Sequence, residues 1–190
     1  MKSFNLVIVG VGGQGTLLAS KILGRLAMDA GLNVKVSEVH GMSQRGGSVI
    51  THVRVGEEVR APLVSVGEAD FLLAFEALEA ARAKEYLRPD GVLIANTQEI
   101  APMPVVTGTV SYPVNPLGVF ESQTVEAVDA LALAKAAGNQ KVVNLVLLGM
   151  LSGHLEFTRK AWEEAITLCL PPKLLPVNLR AFELGRSKLQ

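Results

Sequence analysis

Cysteine is nearly missing from this chain: Cys169 is the only one in 190 residues. A lone thiol cannot form an intramolecular disulfide, and no CxxC spacing exists that could hold zinc or an iron–sulfur cluster. Histidine is scarce too, and His40, His52 and His154 have no metal-like spacing to one another or to the cysteine, so no metal site is expected. An excess of charge of one sign is also lacking. Eighteen Lys plus Arg balance eighteen Asp plus Glu, which leaves no long-range field to attract a polyanion and argues against nucleic acid as a partner. Long hydrophobic runs are absent as well. The longest, Val142 to Leu151, is interrupted by Asn144 and is far short of the ~20 residues of a membrane-spanning helix. Met1-Lys2 ahead of Leu6 to Val9 starts like a signal sequence, but Gly12-Gly13-Gln14-Gly15 breaks it before any cleavage site. The expected location is a reducing cytoplasm, with neither export nor membrane insertion.

Hydrophobic residues, by contrast, make up 49% of the chain before its 18 glycines are counted. The mean hydropathy is +0.34, high for a soluble domain. Such a surplus points to a buried interface, and a chain isolated from its partner is expected to self-associate. Its length fits one domain, residues 1–190, with a single core.

Phe4 to Val9 reads as a strand buried on both faces, and Thr16 to Ala30 as a helix, with Leu18, Ile22 and Leu26 on one face and Gly31 as its stop. Val34 to Val39 is a second strand, so the opening has the size of a βαβ unit. Ser48 to Val55 is expected to be a strand with Thr51 outward and Val53 and Val55 inward. A strand over Ala69 to Phe75, a helix over Glu76 to Tyr86, a turn at Arg88-Pro89-Asp90-Gly91 and a strand over Val92 to Asn96 continue the rhythm. The proline-rich stretch Ile100 to Pro116 is extended or turning, with a short strand at Thr109 to Tyr112. Helices are then expected over Thr124 to Ala137, Val142 to Ser152, Thr158 to Leu170 and Lys173 to Leu184. The expected fold is α/β: a Rossmann-like parallel sheet with flanking helices in residues 1–116, and a mainly helical part, residues 117–190, packed on it.

Two glycine-bearing loops carry the chemistry. Gly10-Val11-Gly12-Gly13-Gln14-Gly15, followed by Thr16, satisfies G-x-G-x-x-G between a strand and a helix. Absent side chains allow a tight turn and close approach, and the free amides at the helix start attract an anion. Glu38 stands where a dinucleotide fold places its ribose-binding acid. The same glycines could instead only let the helix pack closely on the sheet, with Ala19 and Gly24 helping. No lysine precedes Thr16, so this is not a nucleotide-triphosphatase loop.

The second loop, Ser37 to Ser48, should emerge at the same carboxyl edge of the sheet, so that both loops face one crevice. There His40 could titrate near neutrality, Ser43 and Gln44 could donate hydrogen bonds, and Arg45 could fork onto a carboxylate or phosphate. Gly46 and Gly47 would keep the approach open. Alternatively, Arg45 pairs with an acid of a partner subunit, Ser43 ties the loop and His40 braces it.

These residues carry a resemblance. Gly10 to Gly15 and the longer, more specific Ser37-Glu38-Val39-His40-Gly41-Met42-Ser43-Gln44-Arg45-Gly46-Gly47 resemble the small subunits of indolepyruvate ferredoxin oxidoreductases, in the gamma-type domain family of the 2-oxoacid:ferredoxin oxidoreductases. Asn144 to Gly149 and Val177 to Gly185 resemble that family's helical tail. The resemblance implies oxidative decarboxylation of an aryl-pyruvate to an acyl-CoA, with coenzyme A as co-substrate and ferredoxin as electron acceptor. Thiamine diphosphate and iron–sulfur clusters are implied in a large partner subunit, since one cysteine cannot ligate a cluster and the chain has no recognisable thiamine diphosphate motif. The loops would then close the partner's cavity, or hold a coenzyme A phosphate or the substrate carboxylate. A free-standing NAD(P)-binding enzyme reading Glu38, and a non-catalytic assembly module, remain as other readings of the residues.

Asp70, Glu76, Glu79 and Glu85 are expected to be structural, with Glu79, Arg82 and Glu85 on one solvated helix face. Cys169, between two leucines in a helix, is expected to be a buried thiol rather than a nucleophile.

Overall fold

The computed structural model describes residues 3–41 and 47–189. Within them, six strands form one sheet: β1 (Phe4–Val11), β2 (Asn33–His40), β3 (Ser48–Gly56), β4 (Ala69–Ala74), β5 (Leu87–Asn96) and β6 (Thr124–Val128). Their spatial order is β2-β3-β1-β4-β5-β6. The helices are α1 (Thr16–Asp29), α2 (Ala77–Arg82), α3 (Met103–Val106), α4 (Ala130–Ala137), α5 (Val143–Leu151), α6 (Arg159–Cys169) and α7 (Leu175–Arg186).

β1, β4, β5 and β6 pair in parallel, whereas β3 runs antiparallel to both β1 and β2. The sheet is therefore mixed. The reason lies in chain length: β2 ends at His40 and β3 begins at Ser48. So short a connection can join antiparallel neighbours but cannot make the crossover of a dozen or more residues that a parallel pair needs. β3 then inserts between β2 and β1, so the first βαβ unit encloses a third strand.

Four local expectations are corrected. Thr51 is fully buried and donates to Glu38 Oε2 at 3.0 Å; side chains alternate with period two, so Thr51, Val53 and Val55 share one face. Thr109 to Tyr112 forms no strand; Pro104, in the first turn of α3, fits a helix start, where its missing N–H costs nothing. Thr124 to Val128 is a strand rather than the start of a helix, its β-branched residues pairing with β5. The helix begins only at Ala130, where the Asp129 carboxylate accepts from the Ala132 amide at 2.8 Å. Finally, the turn residues Arg88 to Gly91 are absorbed within β5, which shifts register against β4 between Ala69 and Phe71. Asp70 fills that irregularity, accepting from the Asn5 amide at 2.7 Å and pairing with Arg88 at 2.5 Å.

The sheet is covered on both faces, which accounts for the near-continuous apolar character of β1 and β4. Leu6, Ile8, Val53, Phe71, Leu73 and Ile94 pack on one side against α1 and the C-terminal helices, with Trp162 and Phe182 at their centre. Val7, Val9, Leu72 and Leu93 face the other side, under Ala80, Leu87 and Phe120. All nine residues of α5 are buried, as a helix apolar on every face requires. It crosses α7 at two glycines. A Cβ on Gly149 would lie 2.1 Å from the Phe182 carbonyl oxygen, and one on Gly185 would lie 2.0 Å from that of Val146. Both obstacles are backbone, so the helices approach only because neither position has a side chain. Gly24 of α1 is different: nothing lies within 4 Å of its missing Cβ, so it does not serve the close packing that the alternative reading of the glycines assigned to it.

His52 is buried on β3, where its Nδ1 accepts from the Val64 amide at 3.3 Å and its ring stands edge-on to Tyr86. Burial lowers its pKa. The fold thus favours neutral imidazole, and the stability this contributes is complete above the ordinary value of about 6.5 and is lost as pH falls below it.

Gly149→Ala and Gly185→Ala should each cost about 3 kcal/mol through overpacking, lowering the thermal midpoint by roughly 6–12 °C. Gly24→Ala should raise it, by about 0.5–1 kcal/mol of helix propensity; thermal unfolding of the three variants checks both signs. For His52→Gln, the midpoint gap to wild type should shrink as pH is lowered from neutrality to about 5. A gap independent of pH would contradict the burial of a neutral imidazole.

Candidate functional site

The first glycine loop leaves the carboxyl end of β1 and turns into α1. Gly13 and Gly15 have φ of 102° and 90°, a conformation open to glycine and strained for other residues. Gly10 needs its bare Cα for a different reason, since a Cβ there would lie 2.8 Å from Gln14 Oε1 and 2.9 Å from Phe75 Cβ. Gly15 precedes α1 without any side-chain cap, and the first turn of the helix has no acidic residue. Its leading amides therefore keep the partial positive charge of a helix start.

The second loop meets the first. The Gly12 amide donates to the Gly47 carbonyl at 2.9 Å, and the Gly41 amide to the Ser48 carbonyl at 3.2 Å. Ser48, which opens β3, is tied further by its hydroxyl to Glu79 Oε2 at 2.5 Å. Glu79 is almost fully buried, and its other oxygen accepts from Arg82 at 2.5 Å. The expectation of a solvated face is thus corrected for Glu79: this carboxylate anchors the exit of the second loop to α2. Glu85 is exposed, as a solvated face requires.

Glu38 and His40 both lie near the carboxyl end of β2. Glu38 Oε1 stands 3.3 Å from His40 Nδ1, while Oε2 accepts the Thr51 hydroxyl. Because β3 lies between β1 and β2, Glu38 is two strand spacings from β1, about 10 Å, rather than the one spacing of a simple dinucleotide unit. It still faces the glycine loop. A crevice of about 400 Å³ has Gly12, Gly13, Gly15 and Thr16 on one side and Glu38, His40 and Val49 on the other. Ser43, Gln44, Arg45 and Gly46 lie outside the described residues; Gly47 is held at the junction of the two loops.

Gln14 turns inward. Its Oε1 accepts from the Val11 amide at 2.7 Å and its Nε2 donates to the Phe75 carbonyl at 3.0 Å, which fastens the loop to the end of β4. Asn96, wholly buried at the end of β5, donates to the same carbonyl at 3.1 Å and accepts from the Ala130 amide. Glu76, also buried, caps α2 through the Glu79 amide and accepts from the Ile100 amide and the Tyr112 hydroxyl. Burial and this bond to Glu76 raise the pKa of Tyr112, keeping it a neutral donor. On the far side of the glycine loop a second crevice, of about 440 Å³, opens between Gly13, Gln14, Gln98, Ile100 and Lys141.

Asn96 gave no signal in the sequence, and Asn144 only that of a polar residue interrupting an apolar run; both are short polar side chains whose partners are distant along the chain. Cys169 is partly buried and desolvation raises its pKa, so it stays a thiol. Among the described residues no group of three or more His, Cys, Asp or Glu could hold a metal ion, and no helix is long and apolar enough to cross a membrane.

Residues 5–188 match the family described as pyruvate ferredoxin/flavodoxin oxidoreductase. The chain is 45% identical to the indolepyruvate oxidoreductase subunit IorB of Thermococcus kodakarensis, over 97% of this chain and 95% of that one. It is 44% identical to the subunit of the same name from Archaeoglobus fulgidus, over 95% and 92%. Among solved structures, a keto/oxoacid ferredoxin oxidoreductase gamma subunit from Geobacter sulfurreducens shares the fold, with TM-score 0.74, 24% identity and 97% of each chain covered. None of these likenesses favours a nicotinamide-dinucleotide enzyme. A full-length match joined to two glycine loops that meet at one sheet edge shows that the chain belongs to the pyruvate ferredoxin/flavodoxin oxidoreductase family, as a small, gamma-type subunit of a 2-oxoacid:ferredoxin oxidoreductase.

Proposed function

We propose that this chain completes the active site of a larger, thiamine-diphosphate- and cluster-bearing subunit that oxidises indolepyruvate or related aryl-pyruvates. The products are an acyl-CoA, carbon dioxide and reduced ferredoxin, and the small subunit alone is inactive. The choice of substrate rests on the relatives at 39–45% identity, all named for indolepyruvate. The observation that carries the division of labour is the meeting of the two loops through Gly12 and Gly47 beside an uncapped helix start. Such a site can position an anionic group and shield a reactive atom, but it supplies no redox centre of its own. With one cysteine in the sequence, cluster ligation falls to the partner.

In this reading Gly10, Gly12, Gly13, Gly15 and Thr16 present the backbone to a coenzyme A phosphate or the substrate carboxylate. His40 and Arg45 are the candidate catalytic side chains, and Ser43, Gln44, Gly46 and Gly47 are candidate binding residues of the same segment. Glu38 orients His40. The partner covers apolar surface: residues 100–120 contain no charged residue, and Met103, Val106, Val110 and Val114 within them are more than half exposed. Charge depletion of this kind marks the core of an interface, which is expected to bury more than about 2,000 Å² in total. Without the partner, the same surface drives self-association. The complex operates in the cytoplasm as one domain of this chain docked on the large subunit.

Mixing the purified chain with its large subunit should give thiamine-dependent ferredoxin reduction with indolepyruvate or phenylpyruvate and coenzyme A. Absence of activity with every 2-oxoacid tried would overturn the proposal. Arg45→Ala should leave complex formation intact while lowering turnover by roughly 10- to 100-fold, the loss of one charged hydrogen bond of about 1.5–3 kcal/mol. Unchanged turnover would assign the loop to assembly alone.

A further inference from the structure

We infer that Asn144 is a positioning residue for the glycine loop, holding it from a helix that follows 129 residues later. Its Nδ2 donates to the Gly15 carbonyl at 3.4 Å, and the amide group lies against the bare Cα of Gly15. A Cβ on Gly15 would come within 2.9 Å of Asn144 Nδ2. The other end of the side chain accepts from the Leu145 amide at 3.0 Å, so both ends of the amide group are engaged.

The cost of placing an amide here identifies its purpose. Asn144 is the one polar side chain in α5, whose residues are all buried. Packing alone would favour an apolar residue of the same size, because a buried amide is tolerated only where hydrogen bonds replace water. What it gains is a hold on Gly15, whose carbonyl also accepts the first helical bond of α1, from Ala19 at 3.2 Å. α5 in turn has little freedom to slide, since Gly149 and Gly185 interlock it with α7. The loop is thereby fixed from two directions: Gln14 ties it to β4, and Asn144 ties it to the helical layer. Its position is set relative to the C-terminal helices as well as to the sheet.

The test uses Asn144→Leu, which retains size and suits an apolar helix, with Asn144→Asp as a second variant that keeps shape but replaces the donor by a carboxylate. Amide hydrogen exchange of the full chain is compared with wild type. Positioning predicts that amides of residues 12–16 exchange at least tenfold faster in either folded variant, while those of residues 6–9 in β1 are unchanged. Unaltered exchange at residues 12–16, or acceleration spread evenly over β1 and α1, overturns it. If Asn144→Asp does not fold, Asn144→Leu alone decides. The consequence for catalysis rests on the function proposed above and is read separately in the complex. There, Asn144→Leu should raise KM for coenzyme A or the 2-oxoacid at least tenfold with less effect on kcat. Accelerated loop exchange with both KM values unchanged would leave the positioning role standing and overturn the assignment of the loop to substrate binding.

Discussion

The hydrogen bond from the Gly12 amide to the Gly47 carbonyl closes the carboxyl edge of the sheet, and the site depends on it. It extends the antiparallel β1–β3 ladder by one residue beyond the Val11–Ser48 pair, and so joins the turn after β1 to the chain entering β3. Around it the structure has arranged a set of restraints, each made by a polar group in a largely apolar setting. Gln14 reaches Phe75, Asn144 reaches Gly15, Ser48 reaches Glu79 and Thr51 reaches Glu38. Such buried polar contacts add little net stability each, but leaving any one partner unsatisfied is costly. The loop is thus specified more strictly than its glycines alone would allow. A glycine-rich turn is adaptable by composition; here it is held in place by its surroundings, and a prearranged set of donors is what binding or catalysis requires.

The inserted strand β3 changes what a familiar motif can do. A strand, a glycine turn, a helix and a second strand ending in an acid would ordinarily imply a dinucleotide site. With β3 between β1 and β2, Glu38 is moved outward by a strand and finds Thr51 and His40 as partners. The crevice that results is bounded by a helix start on one side and a carboxylate with an imidazole on the other. Local sequence pattern and family membership therefore diverge on function, and it is the sheet order that reconciles them.

Much of the fold was legible in the residues. β1, α1, β2, β4 and the last three helices are where hydrophobic periodicity and glycine or proline breakers placed them, within a few residues. The misreadings have physical causes. Thr124 to Val128 lies directly before a helix-forming run, and its strand character is settled by pairing with β5. Thr51 is polar yet buried, because its hydroxyl has Glu38 for a partner. Glu79 looked solvated at its helical spacing, but Ser48 and Arg82 make burial tolerable. For the site, the two loops and their common edge could be read from motif and topology. Asn144 could be noticed as an oddity in an apolar helix, but its partner lies at the other end of the chain, which no local pattern reports.

In the proposed function these two loops together form the face turned toward the large subunit. Hydrogen exchange of the chain, free and in complex with that subunit, tests it most directly. The account predicts that residues 10–16 and 38–48 gain protection together on assembly. Protection confined to α6 and α7, with both loops exchanging as in the free chain, would contradict it.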